Sequence, residues 1–136
     1  MEKTVPINTC LGVLHGRDCI YMDLAVQDES NNMTLTGEIN GALVSQAEEK
    51  RDWFPFKLVF QQVRASFSCE LDTYENLAGS NAFDGSSFDR IDHSAWLQSL
   101  TVRKDFEQDR YQHYRLFTYD VVYHLIAVPF TLEVSR

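Results

Sequence analysis

A chain of 136 residues with 44% hydrophobic and 24% charged residues has the make-up of one globular domain, able to bury about two-thirds of its unfolded surface. Disorder is therefore not the expected state, and a core of that size suffices without metal or disulfide staples. The 20 acidic and 12 basic residues leave a formal net charge of −8 with no Lys/Arg cluster. Phosphate contacts would then form against the protein's own field, so nucleic acid is not an expected partner.

The opening MEKTVPINTC has no signal-like apolar run, and no stretch of the chain is apolar for the roughly eighteen residues that a membrane span needs. No membrane association is expected. The three cysteines, Cys10, Cys19 and Cys69, include no CxxC pair, which points to a reducing cytoplasm. A bridge between Cys10 and Cys19 across a tight turn stays open, whereas Cys69 reads as a small buried hydrophobe. TVPINTCLGVLHG reads as one or two short strands, with Pro6 confining its segment to an edge.

From Ile20 onward, Ile20, Met22, Leu24 and Val26 alternate with Tyr21, Asp23, Ala25 and Gln27, which predicts a half-buried strand. The turn-forming run Asp28–Asn32 follows, and Met33, Leu35 and Ile39 resume the alternation, so residues 19–40 read as a hairpin. SQAEEKRD is a charged connector. Phe54, Phe56, Leu58 and Phe60 share one face, after which the apolar parity shifts at Gln61–Gln62 to Val63, Ala65, Phe67, Cys69 and Leu71. A one-residue shift in a period of two marks a bulge, or a strand bent from one sheet into another. A single long bent strand over about 53–71 is therefore expected, with a tight turn at Gln-Gln as the rival.

Residues 74–90 are rich in Gly, Ser, Asn and Asp and read as an irregular loop. Next, IDHSAWLQSL predicts a short helix capped by Asp92 or Ser94. The chain ends in HYRLFTYDVVYHLIAVPFTLEV, which reads as a hairpin around Asp120 that closes the core. Pro129 should offset the last strand to a bulge or a sheet edge.

Chemistry is sought first among His15, His93, His113 and His124. A turn centred on Tyr119–Asp120 sets His124 opposite Arg115, and one centred on Asp120–Val121 sets it opposite Phe117. Neither opposes it to His113, and no HxH, HExxH or CxxC spacing occurs, so no metal and no cofactor is expected. Asp120, Tyr123 and His124 are close enough to share a hairpin end as an acid-base cluster, set against a turn aspartate, a strand tyrosine and a surface histidine. His93-Ser94 lacks the glycine-flanked elbow of a nucleophilic serine, and no catalytic residue is assigned.

A surface reading remains. Between Glu70 and Asp92 lie six carboxylates and one arginine. The loop run with Phe83, Asp84, Phe88 and Asp89 lacks the ligand spacing of a calcium loop. Its phenylalanines either join a protein-binding face or pin the loop to the core. Trp53, Tyr74, Tyr111, Tyr114, Tyr119 and Tyr123 add aromatics that could contribute to the same face.

The combination HSAWLQSL and HYRLFTYDVVYHLIAVPF resembles a group of small bacterial proteins for which no activity is established. In that group a Ser-x-Trp-Leu helix start precedes a His-Tyr strand, a Tyr-Asp turn and a strand ending in Ile-Ala. The resemblance covers the last third of the chain, with a looser echo in FKLVFQQV. It implies organisation and a bacterial origin and transfers no catalytic residues.

The expected fold is mainly β in a single domain spanning residues 1–136: an antiparallel β-sandwich or partly closed barrel of about seven to nine strands, with one short α-helix near residues 94–102. The expected function is an acidic protein-binding module for a basic protein partner, by analogy of size and charge with immunity or antitoxin-type proteins, with Phe83, Asp84, Phe88, Asp89, Asp120, Tyr123 and His124 as binding residues. Two alternatives stand beside it: a small-molecule site or enzyme around Asp120, Tyr123 and His124, and a self-associating homodimer.

Overall fold

Side chains that alternate every second residue commit most of this chain to strands, because a pleated ladder presents them to opposite faces. The computed structural model describes residues 2–47, 51–78, 85–100 and 110–135. Among the described residues the strands are β1 (Lys3–Pro6), β2 (Ile20–Gln27), β3 (Met33–Asn40), β4 (Trp53–Phe60), β5 (Ala65–Glu70), β6 (Phe88–Asp92), β7 (Gln112–Phe117), β8 (Val121–Ala127) and β9 (Thr131–Val134). Two short helices accompany them, α1 (Leu71–Ala78) and α2 (Ala95–Ser99). The protein is mainly β and forms an antiparallel sandwich rather than a closed barrel, with one sheet in the order β1-β6-β7-β8-β5 and the other in the order β2-β3-β4-β9. Leu35, Ile39, Phe54, Phe56, Leu58 and Phe60 of the four-stranded sheet meet Phe88, Tyr114, Leu116 and Leu125 of the five-stranded sheet in the buried layer between them.

The parity shift at Gln61–Gln62 is a sheet crossing. Gln62 takes a left-handed φ of 50°, and the amides of Val63 and Arg64 donate to the carbonyls of Asn31, in the β2–β3 turn, at 2.7 Å and Ile126 of β8 at 2.8 Å. Beyond Pro129 the chain crosses back, and β9 pairs with β4 at the edge of the four-stranded sheet. Pro6 ends the edge strand β1.

The phase of β2 differs from the expected alternation. A bulge between Met22 and Leu24 sets Leu24 opposite Thr36 and Val26 opposite Thr34, on the outer face, where they are 58% and 47% exposed. Next to the bulge the backbone of β2 lies so close to Gly37 that a Cβ there would sit 2.0 Å from the Tyr21 carbonyl oxygen. Gly37→Ala is therefore expected to cost about 1–3 kcal/mol by forcing the two strands apart. The check is the urea midpoint of the variant, and an unshifted midpoint would contradict this close approach.

Segment 74–90, expected to be irregular, contains parts of two regular elements. Helix α1 starts because the Glu70 carboxylate accepts from the amides of Asp72 and Thr73, both at 3.0 Å, and from the Thr73 hydroxyl at 2.8 Å. Those bonds, the Thr73 hydroxyl first, hold the Glu70 carboxyl below its ordinary range. Strand β6 is interior, between β1 and β7, so Phe88 packs into the core and Asp89 is fully buried. The expected cap on the next helix forms, with Ser94 Oγ accepting from the Leu97 amide at 3.0 Å. Residues 101–109, which include the end of the expected helix, lie outside the described residues. Cys10, Cys19 and Cys69 are all free thiols, so no Cys10–Cys19 bridge forms.

Candidate functional site

The β7–β8 hairpin turns at Thr118–Asp120, with Thr118 and Val121 bonded across it and Arg115 opposite His124. Its two faces carry different chemistry. Tyr114, Leu116, Tyr123 and Leu125 point towards the other sheet, as their place in the main core or against it shows. His113, Arg115, His124 and Ile126 point outward, beneath the two helices.

On that outer face Asp89, Arg115, His124 and Phe67 form one cross-strand row. Arg115 Nη2 donates to Asp89 Oδ2 at 2.8 Å, with the carboxylate fully buried, and the guanidinium lies 4.9 Å from the centre of the Phe117 ring. His113 belongs to the next row, opposite Ile126. Although the two histidines are not directly opposed, His113 Nε2 and His124 Nδ1 are 2.7 Å apart. The register keeps them out of opposition, as the spacing indicates, and the contact is a diagonal one, because diagonal neighbours on one sheet face also lie within reach of long side chains.

The pair continues at both ends. Ser94 Oγ lies 2.7 Å from His113 Nδ1, and the Tyr74 hydroxyl lies 2.9 Å from His124 Nε2. Two neutral rings leave one hydrogen between His113 Nε2 and His124 Nδ1, so the chain runs in one direction throughout: either from the Ser94 hydroxyl towards Tyr74, or from the Tyr74 hydroxyl towards Ser94, whose oxygen has a lone pair each for Leu97 and His113. Burial, reinforced by the charge of Arg115, pushes His113 down to about 4, against an opposing pull from Glu2. Burial, then His113 and Arg115, push His124 down to about 3. Both rings are neutral at pH 7. The chain of bonds fastens α1, through Tyr74, and the cap of α2, through Ser94, to the sheet. Ser94 is 2% exposed, so this arrangement serves attachment rather than nucleophilic attack. Among the described residues no group of three or more His, Cys, Asp or Glu could hold a metal ion.

Two open concavities among the described residues lie at the hairpin end instead. One cleft of about 330 Å³ is lined by Arg17, Asp18, Glu70, Leu71, Asp72, Tyr119 and Asp120. A second, of about 260 Å³, runs along Tyr21–Ala25 and Thr118–Val121 and includes Tyr123. Tyr119, 50% exposed, borders both. It stacks on Tyr21 at 5.0 Å, and Tyr21 meets Trp53 edge-on at 5.2 Å. Burial, with the charges of Asp18 and Asp120 nearby, raises the Tyr21 phenol above its ordinary range. Arg17 is engaged by Glu75 at 3.0 Å and Asp72 at 3.8 Å, and Asp18 and Asp120 add further carboxylates around Tyr119.

Of the residues expected to bind, Asp120 and Tyr123 share a cleft. His124 lies on the opposite face of β8, so the three do not converge on one pocket. Phe88 and Asp89 are buried at 1% and 0% exposure and cannot form an exposed acidic, aromatic face. Phe83 and Asp84 lie outside the described residues. Tyr74, Tyr111 and Tyr114 are buried, leaving Trp53 and Tyr119 as the exposed members of the expected aromatic set. Sequence reasoning missed Tyr21, Arg17 and the Ser94–His113–His124–Tyr74 chain. For that chain one usable signal was present: His113 and Arg115 share a face, and either register considered for the hairpin would have placed His124 on it. Comparison with protein-family models, curated proteins and solved structures finds no match to this chain.

Proposed function

We propose that this chain is a protein-binding module that takes a basic segment of a partner at the hairpin end of the sandwich. The observation that carries the reading is Tyr119, half exposed and stacked on Tyr21 between two clefts whose borders include Asp18, Glu70, Asp72 and Asp120. An arginine or lysine laid over these rings gains about 0.5–2 kcal/mol from the π face. The surrounding carboxylates and the net charge of −8 speed its approach. Exposed aromatics of this kind supply a large share of interface energy.

The test is affinity capture from the source organism with wild type and with a Tyr119→Ala, Asp120→Asn variant, at low and high salt. Wild type is expected to retain a basic protein stoichiometrically at low salt and less of it at high salt. The variant should bind about 10–100-fold more weakly, the effect of losing one aromatic anchor. Identical capture by both proteins at every salt concentration would remove the hairpin end as the recognition face.

A further inference from the structure

We propose that His113 and His124 form an acid-opened latch, which holds α1 and the cap of α2 on the outer face of the five-stranded sheet only while the pair carries at most one proton beyond its neutral form. The geometry is the hydrogen-bond chain from Ser94 through His113 and His124 to Tyr74, with successive separations of 2.7, 2.7 and 2.9 Å. A first added proton can be housed. Imidazolium at His113 donates through Nε2 to His124 and through Nδ1 to Ser94, whose oxygen accepts. A second cannot, because both facing nitrogens would then carry hydrogens across 2.7 Å and no lone pair would remain between them.

The surroundings oppose charging the pair. Arg115 of β7 already places a guanidinium beside both rings. Asp89 of β6, the nearest buried carboxylate, is bonded to Arg115 at 2.8 Å. Strand β5 offers only Phe67, 6.1 Å from His124 between ring centres, and the thiol of Cys69, which packs among Leu71, Tyr74, Phe117 and Val122. From α1 the pair meets the Tyr74 phenol, and from α2 the edge of Trp96, 5.2 Å from His113. Among the described residues the charge that favours protonation of His113 is Glu2 of the N-terminal segment, whose carboxylate accepts from the Ala95 amide at 2.8 Å.

The direction follows from linkage. With the helices lifted and the rings in water, each histidine titrates near its ordinary value of about 6.5, whereas in the closed form both are depressed. The closed form therefore binds fewer protons. Its advantage is complete above about pH 6.5 and is lost as the pH falls through the closed-state values. At pH 5 the opening constant rises about thirtyfold for each histidine relative to alkaline pH. Leu71 and Asp72 of α1 line the larger cleft, so opening would also remove a wall of it. That corollary rests on the proposed binding function, and the latch itself does not.

The test uses the full chain with Trp53→Phe, so that Trp96 is the sole indole, and follows acrylamide quenching of its emission, far-UV circular dichroism and histidine ring NMR from pH 7.5 to 3.5. Trp96, partly buried in the closed form, is expected to become more accessible between about pH 6.5 and 4 while the strand signal persists, and the closed-state rings should not titrate near 6.5. His113→Asn and His124→Gln should flatten the Trp96 transition. Three results would overturn the latch: rings that titrate near 6.5 in the closed form, variants that follow the wild-type Trp96 curve, or loss of Trp96 burial and strand signal in one transition. Should the variants fail to fold, the wild-type ring titration and the order of the two optical transitions still decide. Acid-dependent loss of partner capture without any change at Trp96 would count against the latch while leaving the binding face intact.

Discussion

Asp89→Ala is expected to lower folding stability by about 3–5 kcal/mol, the cost of removing one member of a buried ion pair. Asp89 is 0% exposed and Arg115 7%, and their 2.8 Å bond lies on the outer face of interior strands, beside the Phe117 ring. Truncation leaves the guanidinium in a low-dielectric site without this counter-charge, and it also empties the space of a buried side chain. Because domains of this kind are stable by only about 5–15 kcal/mol, the variant should unfold at a much lower urea concentration. The paired change Asp89→Leu with Arg115→Met should recover most of the loss, since the desolvation cost of both charges disappears with them. Urea unfolding followed by circular dichroism checks both. A single variant within about 1 kcal/mol of wild type would mean that the pair is not shielded from water.

Phe60→Ala should cost a similar amount, about 3–5 kcal/mol, for a different reason. Phe60 is fully buried at the end of β4, just before the chain crosses between sheets. Its ring is 5.2 Å from Tyr114, 6.1 Å from Phe130 and 6.2 Å from Phe88. It therefore joins β4 to Phe88 of β6 and Tyr114 of β7 across the sandwich, and the ladders that hold those two rings resist closing over a vacated site. Phe60→Leu, which keeps most of the volume, should cost less than about 1.5 kcal/mol. Equal losses for the two substitutions would show that the ring contacts, rather than the filled volume, carry the effect.

The elements that alternation and turn chemistry announce are local, and they were legible. The hairpin of β2 and β3, the crossing at Gln61–Gln62, the Ser94 cap and the offset after Pro129 each depend on residues a few positions apart. Two of the misreadings arose where a second segment intervened, and one arose from a local cap. Leu24 and Val26 face outward because a bulge beside Gly37 resets the phase of β2. Residues 71–78 are helical because Glu70 turns back to cap them, although the period-2 run ahead of them favoured a strand through Leu71. Phe88 and Asp89 are buried because β6 lies between β1 and β7, so their composition as a polar loop was misleading.

For the candidate sites the division is similar. The sequence by itself determined a mainly β chain, its acidic character and the hairpin around Asp120 with Tyr119 at its turn. Tertiary structure alone decided that Tyr21 and Trp53 extend that aromatic to a row, that Asp120 and Tyr123 share a cleft that His124 does not enter, and that His113 meets His124. The physical reason is range. A period of two records which face a residue takes, whereas strand order, diagonal contact and the helix covering a face depend on pairing between segments that no local pattern encodes.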